Sequence, residues 1–374
     1  MLRCLLSALL ILPAVAAAQA PPPPQVVGRA WVLAEVSSGQ ILASEKSDER
    51  FEPASLTKLM TAYLTFVALK QKNLSIDQQV NVSERAWRAP GSRMFIEPRK
   101  PVTVDELIRG MVVQSGNDAC IALAEQIAGS EEAFAAMMNR EAARLGMAST
   151  RYTNASGLPD PGHYSTARDL YVLAAALIRD FPEQYAQYYS LREYRYNGIT
   201  QPNRNRLLWL DSTVDGVKTG FTEAAGYCLV ASSRRGARRL LSVLLGSTSE
   251  STRAQESQKL LNWGFQFFDA VRLYAGGAQV KQIEVWKGAN ATLKAGFRAD
   301  LVVSVPKGQG DRLKAELLSQ SPLVAPVAEG SRVGNLRVTL DGKPLGEYPV
   351  VALEAVAEAG FFGRAWDTLR LWFK

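Results

Sequence analysis

The chain has 374 residues, 47% of them hydrophobic and 21% charged, with a net charge of +7. It is too long for one ordinary core and too apolar for a disordered chain, so two globular domains are expected. A single histidine, His163, excludes a multi-histidine zinc site, and any Ser-His-Asp triad would have to use it. No metal or other cofactor is expected. The positive charge fits either plain solubility or attraction to an anionic surface. No arginine-rich arm or aromatic-basic alternation points to nucleic acid, which is not expected as a partner.

Residues 1–20 hold Arg3, an apolar run over 4–18 and small residues at Ala16, Ala18 and Ala20. They read as a secretory signal with A-x-A cleavage sites, followed by an extended start at Pro21, Pro22, Pro23 and Pro24. Cys4 leaves with that signal. Cys120 and Cys228 remain, both in apolar periodic segments, and are expected to be buried packing groups.

Residues 30–43 read as a hairpin around Ser37-Ser38-Gly39. Pro53 precedes a helix over 55–70, and further helices are expected over 102–111, 118–128, 131–145 and 166–179. His163 falls in the turn-like loop Pro161-Gly162-His163-Tyr164-Ser165, as a surface or structural histidine. After Asp215-Gly216 the period changes. Segments 217–221, 226–232 and 239–246 read as antiparallel strands, and 253–268 returns to helix. The expected fold is α+β, a helical block on an antiparallel sheet.

Around 273–278 the composition shifts. Strands are expected over 283–286, 300–305, 333–340 and 348–353, with a hairpin at Asp341-Gly342. This is a small all-β domain with no visible chemistry. In the tail, Phe362, Ala365, Trp366, Leu369, Trp372 and Phe373 share a helical face, with Arg364, Asp367, Arg370 and Lys374 on the other side. Charges interrupt the run, so the segment is expected to lie in a membrane interface rather than to span it.

Three motifs carry the chemistry. In Ser55-Leu56-Thr57-Lys58 the serine and lysine are three apart, so one helical face brings Lys58 to the Ser55 hydroxyl. A serine needs a base, and a lysine serves once burial and a nearby cation, here Lys218, lower its pKa. Ser115-Gly116-Asn117 sits between helices, where Ser115 can relay a proton and Asn117 can hold an amide. Lys218-Thr219-Gly220 lies on a strand whose edge can pair with a peptide. Gly220 would let that backbone approach, and Lys218 and Thr219 offer a cation and a hydroxyl to a carboxylate.

With Phe51-Glu52-Pro53-Ala54, Arg93-Met94-Phe95, the stretch 110–119, Asn154-Ala155-Ser156-Gly157-Leu158 and 215–226, these motifs resemble the low-molecular-mass penicillin-binding proteins. Those are serine-type D-alanyl-D-alanine carboxypeptidases with a transpeptidase-like domain, a β domain and an amphipathic tail. The resemblance implies four parts: a signal at 1–20, a D,D-peptidase domain at 21–277, a β domain at 278–356 and a membrane-anchoring helix at 357–374. It implies that Ser55 is acylated by a peptidoglycan stem peptide or a β-lactam, with Lys58 as base and Ser115 in proton relay. It further implies that Asn117, Lys218, Thr219, Gly220, Phe221 and Arg253 bind substrate, with the Ser55 and Phe221 amides as oxyanion hole. Phe221 stands where some relatives have histidine. The implied location is the periplasmic face of the inner membrane.

A class A β-lactamase would need a Glu-x-x-Leu-Asn pattern, which is absent. A D,D-endopeptidase acting on cross-links shares the three motifs. An inactive wall-binding scaffold would have no need of Lys58 or Lys218.

Overall fold

The computed structural model describes residues 20–319 and 321–371. The expected signal lies outside them except for Ala20, as do Trp372, Phe373 and Lys374 of the tail.

The first domain is built on a five-stranded antiparallel sheet. In chain order its strands are β1 (Ala30–Glu35), β2 (Ile41–Glu45), β3 (Val214–Thr222), β4 (Gly226–Arg235) and β5 (Arg238–Ser247). Their order in space is β2-β1-β5-β4-β3. All six residues of β1 are buried because both faces of the sheet are covered. Ala30, Val32 and Ala34 face a core shared with the helical block, while Trp31 and Leu33 face a second core with Leu260, Leu261 and Trp263. The alternation along a strand explains that division. β3 is an edge strand of this sheet.

The helical block holds α1 (Lys58–Lys70), α2 (Val104–Val113), α3 (Asn117–Ala128), α4 (Glu131–Leu145) and α5 (Ala167–Asp180), and α6 (Glu250–Phe267) covers the far face. Each was expected, with shifts at the ends that caps explain. α1 is preceded by a separate 3₁₀ turn, Ala54–Thr57. α2 starts two residues late because Thr103 and Glu106 form a reciprocal capping box. α6 starts three residues early, capped by the Ser249 side chain on Thr252 N–H.

The second domain has its own apolar core, including Ile283, Leu293, Val303, Leu336 and Val350. Phe268–Tyr274, directly after α6, pairs antiparallel with Leu301–Pro306. A six-stranded sheet adds Gln279–Trp286, Thr292–Gly296, Leu313–Ser319, Leu323–Val324, Arg332–Leu340 and Lys343–Ala352. The Asp341-Gly342 hairpin is present, with both residues at positive φ (51° and 79°). Between the domains, Ser304 N–H donates to Gln40 Oε1 at 2.6 Å, and Ser38 and Ser304 hydroxyls lie 2.7 Å apart.

The tail forms α7 (Phe361–Leu371). Its apolar side chains face outward: Phe362 is 87% and Trp366 64% exposed. Its polar side meets the β domain, where Asp367 accepts from Lys287 N–H at 2.7 Å and the Arg370 guanidinium lies 5.2 Å from the Trp286 ring. Among the described residues no helix is long and apolar enough to cross a membrane.

Candidate functional site

Ser55 sits in the 3₁₀ turn entering α1, and Lys58 is the first residue of α1. That turn presses against β3. A side chain at Gly220 would lie 3.1 Å from Pro53 O and 3.3 Å from Ala54 Cβ. Gly220 therefore makes room for the turn that carries Ser55, a closer constraint than room for an incoming peptide.

Lys58 is 1% exposed and fully engaged. Its Nζ donates to Ser55 Oγ (2.9 Å), Asn117 Oδ1 (2.7 Å) and Ser156 O (2.6 Å). Asn117 is itself held, its amide nitrogen donating to Pro90 O at 2.6 Å. Ser115 has φ +68°, a left-handed conformation that costs free energy and that the neighbouring structure must hold. Asp118 supplies part of that hold. Its buried carboxylate accepts from the N–H groups of Met94, Phe95, Ile96 and Ala119, fixing the 94–96 loop beside the Ser115 turn.

Ser115 Oγ accepts from Lys218 Nζ at 2.9 Å, and Lys218 also donates to Thr219 O at 3.0 Å. The two lysines thus each hold one serine. Ser55, Ser115, Asn117, Thr219, Gly220, Phe221 and Arg253 line one cleft of about 330 Å3. Phe221 is 43% exposed there, its ring 4.4 Å from that of Tyr227. Arg253 lies in the first turn of α6 rather than at its start. It donates to Gly220 O and Arg204 O, both at 3.3 Å, over the Tyr227 ring.

Burial lowers the Lys58 pKa from its ordinary value to about 8, with Arg204 adding repulsion. Burial pushes Lys218 well below its ordinary value, with Lys58 and then Arg204 adding to it. Both lysines resist charge, and burial is the main cause for each. Lys58 has three acceptors and Lys218 two. The sequence expectation made Lys218 the cation acting on Lys58. The two buried lysines repel each other, and Arg204 adds repulsion to both.

The 154–158 stretch closes the cleft. Asn154 Oδ1 accepts from the N–H groups of Ser156, Gly157 and Leu158, which aims Ser156 O at Lys58. His163 is buried and outside the Ser–Lys chain, a structural histidine. Cys120 and Cys228 are both free and buried. Among the described residues no group of three or more His, Cys, Asp or Glu could hold a metal ion.

Sequence reasoning missed Arg204, Tyr227 and the Ser156 carbonyl. Arg204 did leave a signal. Asn203 and Asn205 flank it, each accepting from the N–H two residues on, and such paired turns fix the residue between them.

A serine hydroxyl held by a buried lysine, with a second Ser–Lys pair at hydrogen-bond distance in the same cleft, defines a serine acyl-transfer enzyme that works without histidine. The chain belongs to the D-alanyl-D-alanine carboxypeptidase family, peptidase S11, whose model matches residues 15–249. The model of the penicillin-binding protein 5 C-terminal domain matches 268–358. The chain is 44% identical to D-alanyl-D-alanine carboxypeptidase DacC of Escherichia coli, over 96% of this chain and 92% of that one. It is 35% identical to DacF of Bacillus subtilis, over 92% and 89%. Penicillin-binding protein 5 of Haemophilus influenzae superposes with a TM-score of 0.85 at 39% identity, covering 90% of this chain and all (100%) of that one. The ampicillin-bound penicillin-binding protein D2 of Listeria monocytogenes matches at a TM-score of 0.60 and 31% identity, over 66% and 100%.

Proposed function

We propose that this protein is a serine-type D-alanyl-D-alanine carboxypeptidase, removing the terminal D-alanine of peptidoglycan pentapeptide stems through an acyl-Ser55 intermediate. The observation that carries the residue assignment is the 2.9 Å contact of Lys58 Nζ with Ser55 Oγ, within one cleft with Lys218 on Ser115.

Ser55 Oγ attacks the carbonyl of the penultimate D-alanine, and its proton passes to Lys58. The amides of Ser55 and Phe221 receive the oxyanion. The C–N bond breaks, and the leaving amine takes a proton through Ser115. Water then hydrolyses the ester. Asn117 holds the substrate amide, and the strand bearing Gly220 lies alongside the peptide. Lys218, Thr219 and Arg253 receive the terminal carboxylate. That carboxylate also changes the lysines' balance. An anion beside Lys218 favours its ammonium, and a charged Lys218 repels the proton on Lys58. Substrate binding thereby readies the base. A β-lactam acylates the same serine.

The remaining parts follow the four divisions at 1–20, 21–277, 278–356 and 357–374. The signal exports the chain, and the outward aromatic face of α7 rests on the periplasmic surface of the inner membrane. The test is labelling of the purified protein with a fluorescent penicillin, with D-alanine release from a pentapeptide measured in parallel. Labelling that persists in Ser55→Ala sinks the assignment.

A further inference from the structure

The edge strand β3 ends at Thr222, one residue past Phe221, and has a neighbouring strand on one side only. It turns into β4 through Glu223-Ala224-Ala225, of which Glu223 and Ala224 are exposed. The end of such a hairpin has few contacts of its own to stop it shifting. An oxyanion hole tolerates little shift, because its donors must sit about 2.7–3.1 Å from the developing charge. The groups that fix this hairpin end against the turn carrying Ser55 come from outside the three motifs.

Two ties reach it. Thr222 Oγ1 donates to Glu52 Oε2 at 3.1 Å and accepts from Ala225 N–H at 3.0 Å, so one hydroxyl closes the hairpin and joins it to Glu52. Arg29 Nη2 donates to both Ala224 O (2.5 Å) and Ala225 O (2.6 Å). The Arg29 guanidinium carbon lies 5.3 Å from the centre of the Phe51 ring. Arg29 is itself anchored. Its backbone N–H donates to Leu245 O at 2.8 Å, and its side chain fills space that a Cβ at Gly246 would occupy. Phe51 is anchored too, exchanging two backbone hydrogen bonds of 2.9 Å with Ser165. Both ties therefore end on Phe51 and Glu52, the residues just before Pro53 and the Ser55 turn.

We infer that Glu52 and Arg29 are positioning residues of the oxyanion hole, holding the Phe221 amide at a set distance from the Ser55 amide. The inference rests on the carboxypeptidase reading above, which takes those two amides as the donors. Neither Glu52 nor Arg29 lines the cleft, so each acts through the backbone it holds. Glu52 serves as an acceptor, a role that a neutral amide fills equally well. Arg29 serves as a fork on two carbonyls, and its charge is not what the geometry uses. Loosened amides still admit substrate but meet the tetrahedral oxyanion poorly, in acylation and in hydrolysis alike. The loss therefore falls on kcat, not on KM.

The experiment measures D-alanine release from a pentapeptide, and separately the rates of penicillin acylation and of hydrolysis of the penicilloyl enzyme, on full-length variants. Glu52→Ala, Thr222→Val and Arg29→Met are each expected to lower kcat about tenfold with KM unchanged, short of the roughly 10²–10³ lost with an oxyanion donor itself. Acylation and hydrolysis are expected to slow by the same factor. Glu52→Gln is expected to keep the wild-type rates. Glu52→Ala combined with Thr222→Val is expected to be no slower than either alone, because both break one hydrogen bond. Thermal melting checks folding, and Thr222→Val, which removes only a hydroxyl, carries the test if Glu52→Ala does not fold. Wild-type kcat in the folded variants, or a raised KM with kcat unchanged, overturns the inference and leaves the carboxypeptidase reading standing. A Glu52→Gln protein as slow as Glu52→Ala does the same. A wild-type protein that neither takes penicillin nor releases D-alanine overturns both readings.

Discussion

His163 Nε2 lies 2.8 Å from Thr57 Oγ1, the hydroxyl of the residue just before Lys58. The other ring nitrogen accepts from Thr153 N–H at 3.1 Å, which makes Nε2 the protonated one and the donor to Thr57. The lone histidine is therefore a neutral strut between the 153–163 segment and the Ser55 turn. Burial lowers its pKa from 6.5 to about 4. The unfolded chain binds this proton more readily, so the contribution is complete above pH 6.5 and is lost as pH falls toward 4. The loss amounts to about 3 kcal/mol. Urea midpoints should fall between pH 6.5 and 5, above the range where ordinary carboxylates titrate. His163→Gln should flatten that slope; an unchanged slope would remove the strut from the account.

Lys58 sets a different pH dependence. With its pKa at about 8, the unprotonated base increases as pH rises toward that value. The second-order rate of penicillin acylation should climb about tenfold per unit well below pH 8 and level off above it. Arg204→Gln removes repulsion from Lys58, so it should move the rising limb to higher pH. Stopped-flow acylation between pH 6 and 9 gives the answer, and a flat profile would rule out Lys58 as the titrating base.

Much of this site is legible in the chain. Ser55 and Lys58 are three apart, and helical turns of either kind put such residues on one face. The third acceptor on Lys58 is not legible, because Ser156 O is a backbone carbonyl 98 positions away and no side-chain pattern marks it. The fold shows the same division. The helices and the strands of the first domain follow their periods, with ends adjusted by Thr103 and Ser249 caps. In the second domain, Leu313–Ser319 reads Leu-Lys-Ala-Glu-Leu-Leu-Ser, residues that favour helix, yet it is a strand. Seven paired positions with Arg332–Leu340 override the local preference.

Gly157 is a sharper test of how the cleft is closed. Its φ is +83°, and a Cβ there would lie 1.8 Å from Ala54 O and 2.8 Å from Thr57 Oγ1. Ala54 O is backbone of the turn that carries Ser55, so no side-chain rotation relieves the clash. Gly157→Ala should destabilise the protein by about 3 kcal/mol. It should also slow penicillin acylation beyond any change in stability, because the Ser55 turn must move. A Gly157→Ala protein that melts and acylates like the wild type would contradict the packing described here.

The tail helix is held by its polar side and presents its apolar side. Asp367 and Arg370 attach it to Lys287 N–H and the Trp286 ring, whereas Phe361, Phe362, Trp366 and Leu369 are all more than half exposed. Docking of that apolar face on the β domain would have buried it, and it is exposed instead. Deletion of 359–374 should abolish co-sedimentation with anionic vesicles while penicillin labelling continues, because no group lining the cleft comes from the tail. Trp366→Glu should weaken vesicle binding at least about tenfold, since burying one large apolar side chain contributes about 1.5–3 kcal/mol. Added salt should weaken it further through Arg364 and Arg370. Membrane association that survives the deletion would move the anchor elsewhere in the chain.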